Sequence, residues 1–158
     1  MATTSFPLNV SYSQVAVFDS DLALPFSMWT DRHANQGFAW RPGSVSFRTI
    51  EEGERYLLEL AVHSGDVELS SDAARIIQVP FEVPASGSIE VASITDSMPL
   101  ELPSGVYALR FECFRQESGS EPRIKLVFIR SDDPKFEVLR ADAALSLTGE
   151  LLLTASPA

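Results

Sequence analysis

Cysteine is almost missing from this chain: Cys113 is the only one in 158 residues, so no disulfide can form within it. Its place in an apolar, strand-like run makes it a small buried hydrophobe. Histidine is nearly as scarce. His33 and His63 stand alone, neither with a second histidine or cysteine at ligand spacing, which argues against a closed zinc site and leaves both as ordinary surface or hydrogen-bonding residues. There are two lysines, Lys125 and Lys135, and the arginines are scattered singly. Phosphate contacts require clustered basic side chains, so direct nucleic-acid binding is not expected. No apolar run approaches the roughly 18 residues of a membrane span. The first basic residue is Arg32, so the positive start of a secretory signal is absent too. A cytoplasmic, soluble protein is the expectation. The chain also lacks a phosphate-cradling glycine loop, a strand-to-helix nucleophile elbow and a Ser-x-x-Lys motif, so we expect no enzyme, no cofactor and no metal.

What is present is period-two alternation, the mark of strands with one face in a core. Tyr56, Leu58, Leu60 and Val62 share a face opposite Glu59. Tyr107, Leu109, Phe111 and Cys113 point inward against Arg110 and Glu112, and Ile124, Leu126 and Phe128 form a third set. Further strands are expected at Val45–Thr49, Val10–Phe18, Ile76–Val83, Ser88–Ile94 and Phe136–Leu139. Turn chemistry separates them at Arg41-Pro42-Gly43, Glu51-Glu52-Gly53-Glu54, Pro84–Gly87, Pro103-Ser104-Gly105 and Ser118-Gly119-Ser120. About eight to ten short strands at this spacing argue for an all-β fold, an antiparallel β-sandwich, with a distorted barrel as the alternative. The length suits one domain spanning residues 1–158. Residues 141–158 are expected to supply an edge strand or a tail. Leu151–Leu153 would pair as a final strand or dock on a second copy in a homo-oligomer.

One segment departs from the alternation. Met28–Trp40 holds both tryptophans, and within it Thr30 or Asp31 can cap a helix start while Gly37 can close the helix end. A helix of about two turns near residues 30–36 follows. So short a helix must be fixed by packing of Trp29, Phe38 and Trp40 onto something larger. Trp29 is placed to staple the helix entry against Ala34.

Charge is lopsided, with 22 acidic residues against 12 basic and a net charge of −10. Asp19, Asp21 and Asp31 all precede the first basic residue, and the Gly65–Asp72 connection adds three carboxylates without an evident counter-ion. Glu51, Glu52 and Glu54 sit in a turn, where a solvated tip explains them better than acid–base chemistry does. Such a chain attracts basic partners. Plain solubility of a β-rich domain accounts for the same balance, and a polar loop accounts for the carboxylates of the connection.

The order Val10-Ser11-Tyr12-Ser13-Gln14 with Val17-Phe18, Trp29-Thr30-Asp31 with Gly37-Phe38-Ala39, and Val45-Ser46-Phe47 resembles the competence protein J family. The likeness continues through Val79-Pro80-Phe81 with Val83, Ile89-Glu90-Val91 with Ser93-Ile94, and Leu100–Leu109, covering Val10 to Phe114. The family's best-known activity is inhibition of a DNA-entry nuclease. The resemblance therefore implies a competence nuclease inhibitor or immunity-type protein whose partner is a nuclease. An acidic protein can fill the cationic groove of such an enzyme with carboxylates where phosphates would lie, an inference from charge and not from the family. On that reading Asp19, Asp21 and Asp31 supply the charge and Trp29, Phe38 and Trp40 the aromatic anchors. A small-ligand or carbohydrate-binding sandwich stacking on the same tryptophans is the alternative.

Overall fold

The alternating tracts form eleven strands around one short helix in the computed structural model, which describes residues 2–50, 55–117, 119–147 and 149–158. In chain order these are β1 (Ala2–Asn9), β2 (Gln14–Asp19), α1 (Asp31–Gln36), β3 (Phe38–Arg41), β4 (Ser44–Arg48), β5 (Arg55–His63), β6 (Ala73–Val83), β7 (Ser88–Ala92), β8 (Ser97–Glu101), β9 (Gly105–Phe114), β10 (Arg123–Arg130) and β11 (Glu137–Arg140). Six form one sheet in the order β1-β5-β10-β9-β6-β11, and five form a second in the order β3-β4-β2-β7-β8. The inward sets of the two sheets meet in one apolar core. Val15, Val17, Val45, Phe47 and Val91 of one sheet join Leu58, Ile77, Leu109, Phe111, Leu126 and Phe128 of the other. Phe47 stacks on Phe111 across the interface, ring centroids 4.5 Å apart and planes within 2°.

The expected sandwich and helix are present, with differences that have physical causes. Among the described residues there are eleven strands where eight to ten were expected, and β5 and β10 run parallel, Leu58 lying beside Ile124 and Leu60 beside Leu126. A parallel pair needs a long crossover, and here the chain from β6 to β9 supplies it. The unforeseen strands all lie at sheet edges. β3 has only four residues, too few to show a period, while β1 and β8 contain Pro7 and Pro99, a residue that sheets accept chiefly at their margins. The single strand expected from Val10 to Phe18 is interrupted by a turn at Tyr12 and Ser13. The turn expected at Glu51–Glu54, and Ser118 of a second one, lie outside the described residues.

Both outer faces are partly roofed. Residues 20–30 cross the five-stranded sheet, with Phe26 packed on Ala16, Phe18 and Ala92. That segment is held where Arg41 donates to the Leu24 and Phe26 carbonyls and the Ser44 hydroxyl to that of Pro25. Over the six-stranded sheet, Val67 packs on Ala108, Val127 and Ile129, and Leu69 on Ala73, Ile76 and Phe114. The outward-facing Arg110 and Glu112 are therefore buried, not solvated. Arg110 Nη1 donates to the Val67 carbonyl at 2.9 Å, and Ser70 Oγ donates to Glu112 at 2.5 Å. Burial lowers the Arg110 pKa, opposed by the charges of Glu112 and Asp66.

Candidate functional site

The helix forms where its caps predict. Thr30 is extended and its Oγ1 accepts from the His33 amide, while His33 Nδ1 accepts from the Thr30 amide at 3.0 Å and closes a capping box. With Nδ1 an acceptor, the ring proton sits on Nε2, which donates to the Thr154 carbonyl at 2.8 Å. His33 is thus a buried hydrogen-bonding residue. Gly37 ends the helix at φ 90°, its amide bonded to the His33 carbonyl. The positive φ favours glycine, and a Cβ there would lie 2.8 Å from Ile77 Cδ1 and 3.1 Å from Leu145 Cδ2, so those side-chain ends would have to shift for any other residue.

Residues 141–158 fasten this helix. Of the edge strand or tail expected for this stretch, Leu151–Leu153 form no strand, and the tail bonds to side chains and loop backbone instead of a sheet edge. Gln36 donates to the Leu152 carbonyl and accepts from its amide, Arg32 donates to the Glu150 carbonyl, and Met28 and Phe26 exchange backbone bonds with Ser156 and Ala158. The tail is anchored at its root by a buried ion pair. Arg75 reaches Asp142 with Nε–Oδ1 at 2.6 Å and Nη2–Oδ2 at 3.0 Å, and its Nη1 donates to the Arg48 carbonyl. Burial alone would raise the Asp142 pKa, but the hydrogen bonds and charge of Arg75, helped by the Ala144 amide, hold it below the ordinary 3.8.

The six residues singled out from the sequence fall into three places. Phe38 is fully buried, stacked near Phe136 in the core, so it cannot contact a partner on this surface; it faces inward because it shares a strand face with Trp40. Trp40 is half-buried at the margin of the sandwich, edge-on to Phe136 at 5.0 Å, with Nε1 donating to the Pro80 carbonyl. Asp19 and Asp21 lie at one end of β2, where Asp19 Oδ1 caps the Asp21 amide. Trp29 and Asp31 lie at the other end. Trp29 is half-buried, its Nε1 donating to Gln14 Oε1 at 3.0 Å and its ring edge-on to His33, and Asp31 is exposed in the first helical turn.

At that second end is a groove of 490 Å³ lined by Tyr12, Ser13, Gln14, Trp29, Ala34, Arg48 and Ile94. Trp29 and Ala34 both line this groove. Tyr12 is 84% exposed and Ile94 44%. Arg48 spends its guanidinium on the Ala34 carbonyl at 2.9 Å. Tyr12 and Ser13 occupy the two central positions of a turn closed by Gln14 N–H to the Ser11 carbonyl, with φ of 57° and 51°. That left-handed pair suits Asn-Gly, and a side chain at such a φ costs on the order of 1–2 kcal/mol per residue. The turn is held in place by Ser93 Oγ, which bonds the Ser11 amide and the Gln14 carbonyl, and by the Thr49 amide on the Ser13 carbonyl. Tyr12 and Ile94 were missed in the sequence because a turn without glycine or proline reads as part of a strand.

Residues 7–131 match the Competence protein J (ComJ) family. The chain is similar to the DNA-entry nuclease inhibitor of Bacillus subtilis (strain 168), 31% identical over 103 residues, which are 65% of this chain and 75% of that protein. Its fold is similar to the crystal structure of ComJ, inhibitor of the DNA degrading activity of NucA, from Bacillus subtilis. The TM-score is 0.68 at 23% identity, covering 81% of this chain and 96% of that one. With the matched stretch running through both sheets, α1 and every residue of the groove, the chain belongs to the competence protein J family.

Proposed function

We propose that this chain binds and inhibits a DNA-degrading nuclease, using the acidic, aromatic-containing surface around Trp29 and Asp31. The observation that carries the reading is the 31% identity to a DNA-entry nuclease inhibitor. The charge supports it independently. A nuclease must present cationic surface to its substrate, and a protein of net charge −10 with two lysines is drawn to such a surface and repelled by DNA. Carboxylates set where phosphates would lie block the groove without any chemistry by the inhibitor, so its role is occupancy and not turnover.

The test is a DNA-cleavage assay. The purified chain is mixed with the nuclease encoded beside its gene and, separately, with NucA of Bacillus subtilis, and both mixtures are run on size exclusion. Stoichiometric inhibition and co-elution are expected, with inhibition weakening as salt rises from about 50 to about 500 mM, in the manner of a screened attraction between opposite fields. Full cleavage in both mixtures at about 50 mM salt would sink the proposal. Quenching of tryptophan fluorescence by a sugar, insensitive to salt and without inhibition, would put the carbohydrate-binding reading in its place.

A further inference from the structure

We infer that the Tyr12–Ser13 turn is the central anchor of the nuclease contact, Tyr12 seating its ring in the basic, DNA-binding face of the enzyme, with Trp29 and Ile94 forming the apolar floor beside it. This rests on the proposed function and deepens it: Tyr12 and Ile94 are absent from the residues that the sequence suggests. The argument starts from the backbone. Among the described residues, Tyr12 and Ser13 are the only non-glycine positions with positive φ, and they are consecutive. The sheet does not need them there, because glycine would make the same turn without strain. What the conformation achieves is presentation. It lifts the Tyr12 ring clear of the molecule, 84% exposed, the most exposed of the large apolar side chains. A strained backbone that the surroundings over-determine, here through Ser93 and Thr49, is a recurrent feature of binding surfaces.

The rest of the groove has the make-up of an interface centre. Tyrosine and tryptophan are over-represented among residues that dominate binding, since they bring large area at little rotamer cost. Trp29 is already immobilised by Gln14 and His33, so little freedom remains for it to lose. The occupant is indicated by charge. Asp31 is exposed in the first turn of α1, the helix whose Ala34 lines the groove, and the chain as a whole carries a net charge of −10, while Arg48, the one arginine lining the groove, bonds the Ala34 carbonyl. An apolar floor on an acidic molecule, with Asp31 in the helix that borders it, fits the aliphatic stems and cationic heads of lysines and arginines, the residues that a DNA-degrading enzyme uses on phosphates. Every lining residue also lies within the stretch 7–131 that matches the family, whereas the tail does not.

The experiment separates strain from contact. Tyr12→Ala, Tyr12→Gly, Tyr12→Phe and Ile94→Glu are compared with Val106→Ser, an exposed apolar site on β9, using inhibition of whichever of the two nucleases the unaltered chain restrains and thermal melting of each variant. Tyr12→Gly is expected to melt higher than the unaltered chain yet inhibit about 30-fold less well, a loss typical of an interface anchor. Tyr12→Ala and Ile94→Glu are expected to lose inhibition at unchanged Tm, Tyr12→Phe to retain most of it, and Val106→Ser all of it. Inhibition by Tyr12→Ala and Tyr12→Gly within threefold of the unaltered chain would overturn the inference while leaving the proposed function intact. If the unaltered chain restrains neither nuclease, the function itself falls and the role of Tyr12 falls with it.

Discussion

Arg75 and Asp142 are 67 positions apart, yet they meet as a buried ion pair, with side chains 0% and 3% exposed. Removing one partner of such a pair leaves the other charge buried and uncompensated, which costs about 3–5 kcal/mol, whereas replacing both with apolar residues of similar volume is far milder. Asp142→Asn is therefore expected to destabilise the fold by about that amount, and Arg75→Met with Asp142→Leu by less, checked by urea unfolding. The pH dependence has a fixed sign. The folded-state pKa of Asp142 lies below its ordinary 3.8, so the unfolded chain binds its proton first. Its contribution is complete above the ordinary carboxylate range and drains away as pH falls through the folded value. Unfolding curves measured between about pH 6 and pH 2 should show an acid slope in the unaltered chain that is smaller in the double variant.

Much of the element level could be read from residues. Alternation marked β5 and the start of β10 because each has a buried and a half-open face there, it marked β9 because the polar Arg110 and Glu112 alternate with apolar residues although both are buried, and Thr30 and Gly37 bounded α1 because caps are local chemistry. The route of the tail could not be read, since its bonds to α1 join residues more than a hundred positions apart through backbone groups that carry no residue signature. Deleting residues 150–158 removes the bonds to Arg32, His33, Gln36, Met28 and Phe26. Each is worth about 0.5–1.5 kcal/mol net, while ordering the nine residues that make them costs roughly 1 kcal/mol or more apiece. These terms nearly cancel, so the effect belongs to the helix and not to the sheets. We expect the truncated chain to melt within a few degrees of the full one, with amide exchange at Ala34–Gly37 faster by at least about tenfold and Trp29 emission shifted to the red. Unchanged exchange at those amides would show that α1 holds without the strap.

At the scale of the whole molecule, a net charge of −10 steers any cationic partner, but only carboxylates near the contact should be felt individually. The sequence places Asp19, Asp21 and Asp31 together because they are neighbours along the chain. The fold sets them apart: Trp29 is bonded to Gln14 at the start of β2 and Asp19 closes its end, five steps or about 17 Å away. That separation is about twice the Debye length of roughly 8 Å at physiological salt. If the groove beside Trp29 is where the nuclease docks, Asp31→Asn should slow association several-fold at about 0.15 M salt, while Asp19→Asn with Asp21→Asn should change it by less than a factor of two. Lowering the salt to about 0.01 M stretches the screening length to roughly 30 Å, and the pair should then matter nearly as much as Asp31. Stopped-flow association rates at the two salt concentrations decide the point. A larger effect from the Asp19–Asp21 pair at both would move the contact to the opposite end of β2.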